Sequence, residues 1–131
     1  MSELHPVQAY DRSLRGPYYF GQRSHDRCEV FCCEGEPDYG LSPLDLAGSL
    51  SIRNHSPAGW EWGYGGSGPA QLALAILFHA TGSQSQAERY YQRFKGAYVC
   101  HFPSDSWQLA KATVSRWLNR VIALEQSERG D

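Results

Sequence analysis

The sequence is short of several things, and each shortage removes a class of function. No apolar run is longer than Leu72–Phe78, whereas about 20 apolar residues are needed to cross a bilayer, so no membrane partner is expected. The opening residues Met1–Pro6 show no basic segment leading into an apolar one, which predicts retention in the cytoplasm. Charge of one sign is also missing. The 12 Lys and Arg against 14 Asp and Glu leave a net charge of −2, giving the chain as a whole no electrostatic pull toward nucleic acid. Cysteine is sparse, at four residues, and forms no C-x2-C pair. Without a secretory signal these residues are expected as thiols, and adjacent Cys32 and Cys33 on a strand point to opposite faces. His25, Cys28, Cys32, Cys100 and His101 have only a loose zinc-like spacing, so neither a metal site nor a cofactor is assigned. No repeat period is evident.

Glycine and aromatic residues are abundant: 13 Gly and 17 aromatics, made of 4 Trp, 8 Tyr and 5 Phe. At 131 residues the chain suits one domain with a substantial core. Residues 1–17 lack a clear period and are expected as an arm, 18–126 as the domain, and 127–131 as a flexible tail. Tyr18–Arg23 and Arg27–Cys33, rich in aromatic and β-branched residues around Ser24-His25-Asp26, predict an antiparallel hairpin. Leu41–Ala47 alternates around Pro43, and Leu50–Arg53 suggests another strand. After a loop over Asn54–Gly68 the period becomes helical. Pro69 suits a first turn, Ala70–Ala80 is apolar nearly all round and is expected as a buried central helix, and Gly82 ends it. Ser85-Gln86-Ala87-Glu88 resembles a capping box opening a second helix, whose apolar face is Ala87, Tyr90, Tyr91, Phe94, Ala97 and Tyr98. Phe102-Pro103 breaks it. Ser104 or Asp105 is expected to cap a third helix that buries Trp107, Ala110, Val114, Trp117, Leu118 and Val121. The fold class predicted is α+β: an N-terminal antiparallel hairpin or small sheet, then three helices around a buried central one.

Five glycines and two tryptophans fall within Gly59–Gly68. Gly63-Tyr64-Gly65-Gly66-Ser67-Gly68 satisfies G-x-G-x-x-G, but the lead-in is Trp60-Glu61-Trp62 and the helix opens on a proline without an N–H, contrary to a dinucleotide site. No Lys-Ser or Lys-Thr follows the glycines, which excludes a P-loop. What remains is a glycine-rich loop before a helix start, able to hold an anion or to serve as a tight turn. Asn54-His55-Ser56 with Glu61 forms a loosely matched acid/base set, without a G-x-S-x-G elbow. Charge is unevenly spread. Glu29, Glu34, Glu36, Asp38 and Asp45 form an acidic stretch with no basic residue between Arg27 and Arg53, whereas Arg89 with Arg93, and Arg116 with Arg120, form short basic stripes one helical turn apart.

The segment from Asn54 to Leu74 (NHSPAGWEWGYGGSGPAQLAL), together with Tyr19-x-Gly21, Tyr91-Gln92-x-Phe94-Lys95 and Phe102-Pro103-x-Asp105-x-Trp107, resembles a small family known only as a domain of unknown function, from bacteria, archaea, plasmids and phages. The resemblance spans about residues 18–120. It implies a single α+β unit associated with mobile elements and supplies no activity. The expected function is therefore a small non-enzymatic interaction protein of a phage or mobile genetic element. It would bind a host protein or nucleoprotein target through Asn54, His55, Trp60, Glu61, Trp62, Tyr64, Gly65, Gly66, Ser67 and Gln71, as an anti-CRISPR-like inhibitor of host defence. Two alternatives stand beside it: a phosphate- or nucleotide-binding domain or enzyme using the loop with His55 and Glu61, and a nucleic-acid-binding protein using the four arginines.

Overall fold

The computed structural model describes residues 16–34 and 41–129. Residues 1–15 of the expected arm, residues 35–40 with Glu36 and Asp38 of the acidic stretch, and the last two residues lie outside the described residues. Four strands, β1 (Tyr18–Ser24), β2 (Arg27–Cys33), β3 (Leu41–Pro43) and β4 (Ser106–Ala110), form one antiparallel sheet in the order β3-β2-β1-β4. The helices are α1 (Leu46–Ile52), α2 (Ser67–Thr81), α3 (Gln84–Ala97) and α4 (Lys111–Glu128), with a 3₁₀ turn at Val99–His101. The class is α+β, as the period changes along the chain imply.

The hairpin pairs Tyr18 with Cys33 through Ser24 with Arg27, leaving a two-residue turn whose first residue, His25, has φ 58°. Strand alternation puts Tyr19, Val30, Cys32, Trp107 and Leu109 on the face that joins the core. Against that face lies α2, buried without interruption from Gly68 to Leu77, because its sequence offers no polar stripe to turn toward water. It stops at Gly82, whose N–H bonds the carbonyl of Phe78 at 2.8 Å. Ser83, not Ser85, caps α3 by accepting from the Gln86 amide at 3.1 Å.

Three elements depart from the sequence expectations. Residues 50–53 do not form a strand: Leu46–Ile52 is helical, with Asp45 at the cap accepting from the Gly48 amide at 3.0 Å. A four-residue apolar window cannot separate period 2 from period 3.6, and the local cap decides. Conversely, Ser106–Ala110 is a strand rather than the first turns of the last helix. Trp107 and Leu109, two residues apart, both reach zero exposure on the sheet face, whereas Val114 and Leu118, four apart, are buried by α4. Ser104 and Asp105 do not cap a helix; the Asp105 carbonyl instead accepts from the Arg23 amide at 2.8 Å. Finally, α4 runs through Glu128, past the expected domain boundary at residue 126.

One contact in the sheet leaves no room for a side chain. Trp107 lies over Gly21, so that a Cβ there would stand 2.3 Å from Cε2 and Nε1 of the indole. The other side of the ring stacks on Phe102 at 4.1 Å between centroids, and Trp62 meets it edge-on at 5.7 Å.

Candidate functional site

The glycine-rich loop is fastened to the domain at three places. The first is Gln71, on α2 and fully buried. Its Oε1 accepts from the amides of His55 at 2.7 Å and Ser56 at 3.0 Å. Its Nε2 donates to Ser49 Oγ at 2.9 Å and to the Arg53 carbonyl at 3.0 Å. A primary amide has two acceptor lone pairs and two N–H donors, and all four are used. The end of α1 and the start of the loop are thereby tied to the central helix.

The second fastening is His55, whose Nε2 lies 2.6 Å from the Tyr91 hydroxyl on α3. The third joins loop and sheet. Arg23 on β1 meets Glu61 through Nη2 at 3.1 Å and Nη1 at 3.2 Å, and its Nη1 donates to Cys28 Sγ at 3.0 Å. Its Nε bonds the Ser104 carbonyl at 3.0 Å, and its guanidinium sits 5.0 Å from the Trp62 ring centroid. Trp62 is itself buried and donates Nε1–H to the same Ser104 carbonyl at 3.1 Å.

Arg23 holds the Glu61 carboxyl below the ordinary carboxylate range, chiefly through its side-chain hydrogen bond. A depressed carboxylate stabilises the fold above its unfolded pKa, near 4.3, and that contribution fades as pH falls through the folded value. The pair is partly exposed, with side chains 26% and 38% accessible, so its worth is at most about 1 kcal/mol. Glu61→Gln is expected to lose about 0.5–1 kcal/mol at pH 7 and to converge with the parent only once pH has fallen below the depressed Glu61 pKa. Urea midpoints across pH check this, and a constant difference at every pH would contradict it.

Burial first, then the nearby Glu61, raises the Cys28 thiol above its ordinary value despite Arg23. Cys32 is pushed up to about 11 by burial and Glu34. Both are therefore thiols rather than thiolates near neutral pH. Among the described residues no three His, Cys, Asp or Glu converge as metal ligands.

An open cleft of about 420 Å³ lies where the hairpin tip, the start of α1 and the loop meet; Cys28, Leu46, Ser56 and Trp60 contribute to its wall. A smaller hollow of about 190 Å³ adjoins it, sharing Cys28 and Trp60 and bounded by Val30 and Leu44. Trp60 stands between the two, half-buried. Tyr64 is 51% exposed, and its ring lies over Gly66, the N-cap of α2.

The structure divides the predicted site residues. Trp60, Glu61 and Ser56 meet at the cleft, while Asn54, Tyr64, Gly65 and Ser67 are exposed around the loop. Trp62 and Gln71 are interior and offer nothing to a partner's surface. The acid/base set is not assembled as a unit: His55 bonds Tyr91, Ser56 Oγ donates to the Gly59 carbonyl at 2.7 Å, and Glu61 bonds Arg23. At the start of α2, Gly68 is buried, with its α-carbon so close to Glu61 that a Cβ would sit 2.6 Å from the Glu61 Cβ, and Pro69 has no N–H. Ser67 is the exposed residue of that first turn.

The charged patches break up similarly. Glu29 accepts from Gln22 at 3.2 Å, Glu34 pairs with His79 at 3.5 Å, and Asp45 caps α1. Arg89 pairs with Glu125 of α4 at 3.2 Å, while Arg93, Arg116 and Arg120 are exposed. Sequence reasoning missed Arg23 and Tyr91, which it placed only as strand or core residues, and it weighed Cys28 only within a loose zinc-like spacing. It also missed a chain in which the Tyr19 hydroxyl lies 2.8 Å from His79 Nδ1, with Glu34 on the other ring nitrogen. Burial holds the Tyr19 phenol protonated, far above its ordinary range.

No helix among the described residues is long and apolar enough to cross a membrane. No curated protein and no solved structure matches the chain. A family model does match residues 19–120, from the core face of β1 to the middle of α4, and on that span the chain belongs to DUF6166, a family of unknown function.

Proposed function

We propose that the protein is a non-enzymatic binding protein whose partner surface is the cleft and the exposed side of the glycine-rich loop, with Trp60 and Tyr64 as anchors. One observation carries this. Within a single loop the groups able to do acid/base chemistry are committed to internal bonds, whereas Tyr64 stands 51% exposed and Trp60 walls an open cleft. A cleft of about 420 Å³ falls in the usual range for binding sites. Aromatic anchors beside such clefts supply a large share of interface energy. The resemblance to a family found in bacteria, archaea, plasmids and phages supports a host protein or nucleoprotein as the partner and antagonism of host defence as the setting.

The test is tagged co-purification from the host, with nuclease treatment, followed by titration of the captured partner. Tyr64→Ala and Trp60→Ala are each expected to weaken binding about 30-fold, the effect of a 2 kcal/mol hot spot. Because its ring is half exposed, Tyr64→Ala should change stability by no more than about 0.5 kcal/mol. Full affinity in both variants, with the fold intact, would remove the anchor assignment. A thermal shift of several degrees with a nucleotide would favour the phosphate-binding alternative instead.

A further inference from the structure

We propose that the open edge of β2 at Cys28 captures an extended peptide from the partner as an added strand. This rests on the binding role just described and names its mode of recognition. Ser24 and Arg27 flank a two-residue turn, so they exchange hydrogen bonds within the hairpin. Alternation then turns the main-chain groups of Cys28, Val30 and Cys32 away from β1. Two observations fix that phase: the Leu44 amide donates to the Val30 carbonyl at 2.9 Å, and Ser42 registers with Cys32. After Leu44 the ladder stops, because Asp45 caps α1 and the chain leaves the sheet. Among the described residues no strand lies opposite Arg27–Glu29 on this side, the side to which alternation directs the Cys28 N–H and C=O, and Cys28 belongs to the wall of the cleft together with Leu46 and Trp60.

The vacated edge is about 10 Å long, room for three or four residues of a strand. Its donor and acceptor, without a partner among the described residues, call for a main chain in extended form, since only that presents C=O and N–H at the matching spacing. Trp60, shared by both hollows, offers an apolar wall to one side chain of the incoming strand. On the rim, Asp26 and Glu29 outnumber Arg27, and Glu61 is neutralised by Arg23. The occupant is therefore an extended segment carrying an apolar residue beside a basic one.

The probe is the best binder selected from a displayed random octapeptide library against the intact protein, made as a synthetic peptide. Its binding should protect the Cys28 amide from hydrogen exchange at least tenfold. Cys28→Pro should fold, since proline is tolerated where a strand's N–H faces outward, and should weaken the peptide at least tenfold. Methylating the one peptide amide that meets the Cys28 carbonyl should abolish binding while methylating the amides on either side does not, a readout on the parent protein that stands even if Cys28→Pro misfolds. Failure to select any peptide overturns strand capture. So does a peptide that protects the Tyr64 loop and leaves the Cys28 amide unchanged, an outcome that keeps the broader binding role. A concentration-dependent dimer lost in Cys28→Pro makes a second copy the occupant and also overturns it. Protection at Cys28 with Tyr64→Ala silent supports strand capture and removes only the Tyr64 anchor.

Discussion

Gln71→Leu is expected to lower the unfolding free energy by about 3–4 kcal/mol. Leucine nearly conserves the volume, so the packing of α2 changes little, but four polar groups lose their partner together: the His55 and Ser56 amides, the Ser49 hydroxyl and the Arg53 carbonyl. Each buried polar group left without a bond costs about 1–3 kcal/mol, and water reaching the half-buried loop recovers part of that. Urea unfolding should show a lower midpoint at unchanged slope. Hydrogen exchange at His55 and Ser56 should accelerate more than in the core of α2, because the loop is released before the helix. A loss below about 1 kcal/mol would mean that solvent replaces the amide and that Gln71 does not hold the loop.

Gly21→Ala is expected to destabilise by about 3 kcal/mol, at the upper end of overpacking. The added methyl would stand 2.3 Å from two atoms of the Trp107 indole and 2.6 Å from a third. The ring cannot retreat, since Phe102 stacks on it and Trp62 abuts its edge. Its Nε1–H is buried with no hydrogen-bond partner among the described residues, so a displaced ring does not leave a strong bond behind but must still find space in a close-packed core. Replacing Trp107 by Leu in the Gly21→Ala background should return part of the loss, a coupling of about 1–2 kcal/mol in a double-mutant cycle. Strict additivity, or Gly21→Ala within about 0.5 kcal/mol of the parent, would show that the sheet yields instead.

These two residues also mark how far the sequence can be read. Gly21 looked like an ordinary strand glycine, because nothing local says that a tryptophan more than eighty positions later will lie across it. Gln71 sat inside an apolar helix and within the glycine-rich segment, so it was grouped with the binding residues. Two of its four partners, Ser49 of α1 and Arg53 at its C-cap, belong to a segment whose end, Leu50–Arg53, reads in the sequence as a strand. Arg23 was legible only as a strand cation. Pairing with Glu61, stacking on Trp62 and bonding Ser104 all depend on how the sheet meets the loop.

By itself the sequence determined the elements whose cause is local: the hairpin at His25-Asp26, the buried helix α2, the stop at Gly82, and the concentration of aromatic and glycine residues before α2. Periodicity and turn chemistry are properties of neighbouring residues, so they survive without coordinates. Only the tertiary structure decided which members of the loop face outward. Trp62 and Tyr64 are two residues apart in the same motif, yet one is buried and the other half exposed. The edge at Cys28, open among the described residues, was equally hidden, because it exists only where β3 ends early and α1 departs. Exposure and unpaired main-chain groups depend on which distant segments arrive, and these long-range contacts carry no local period.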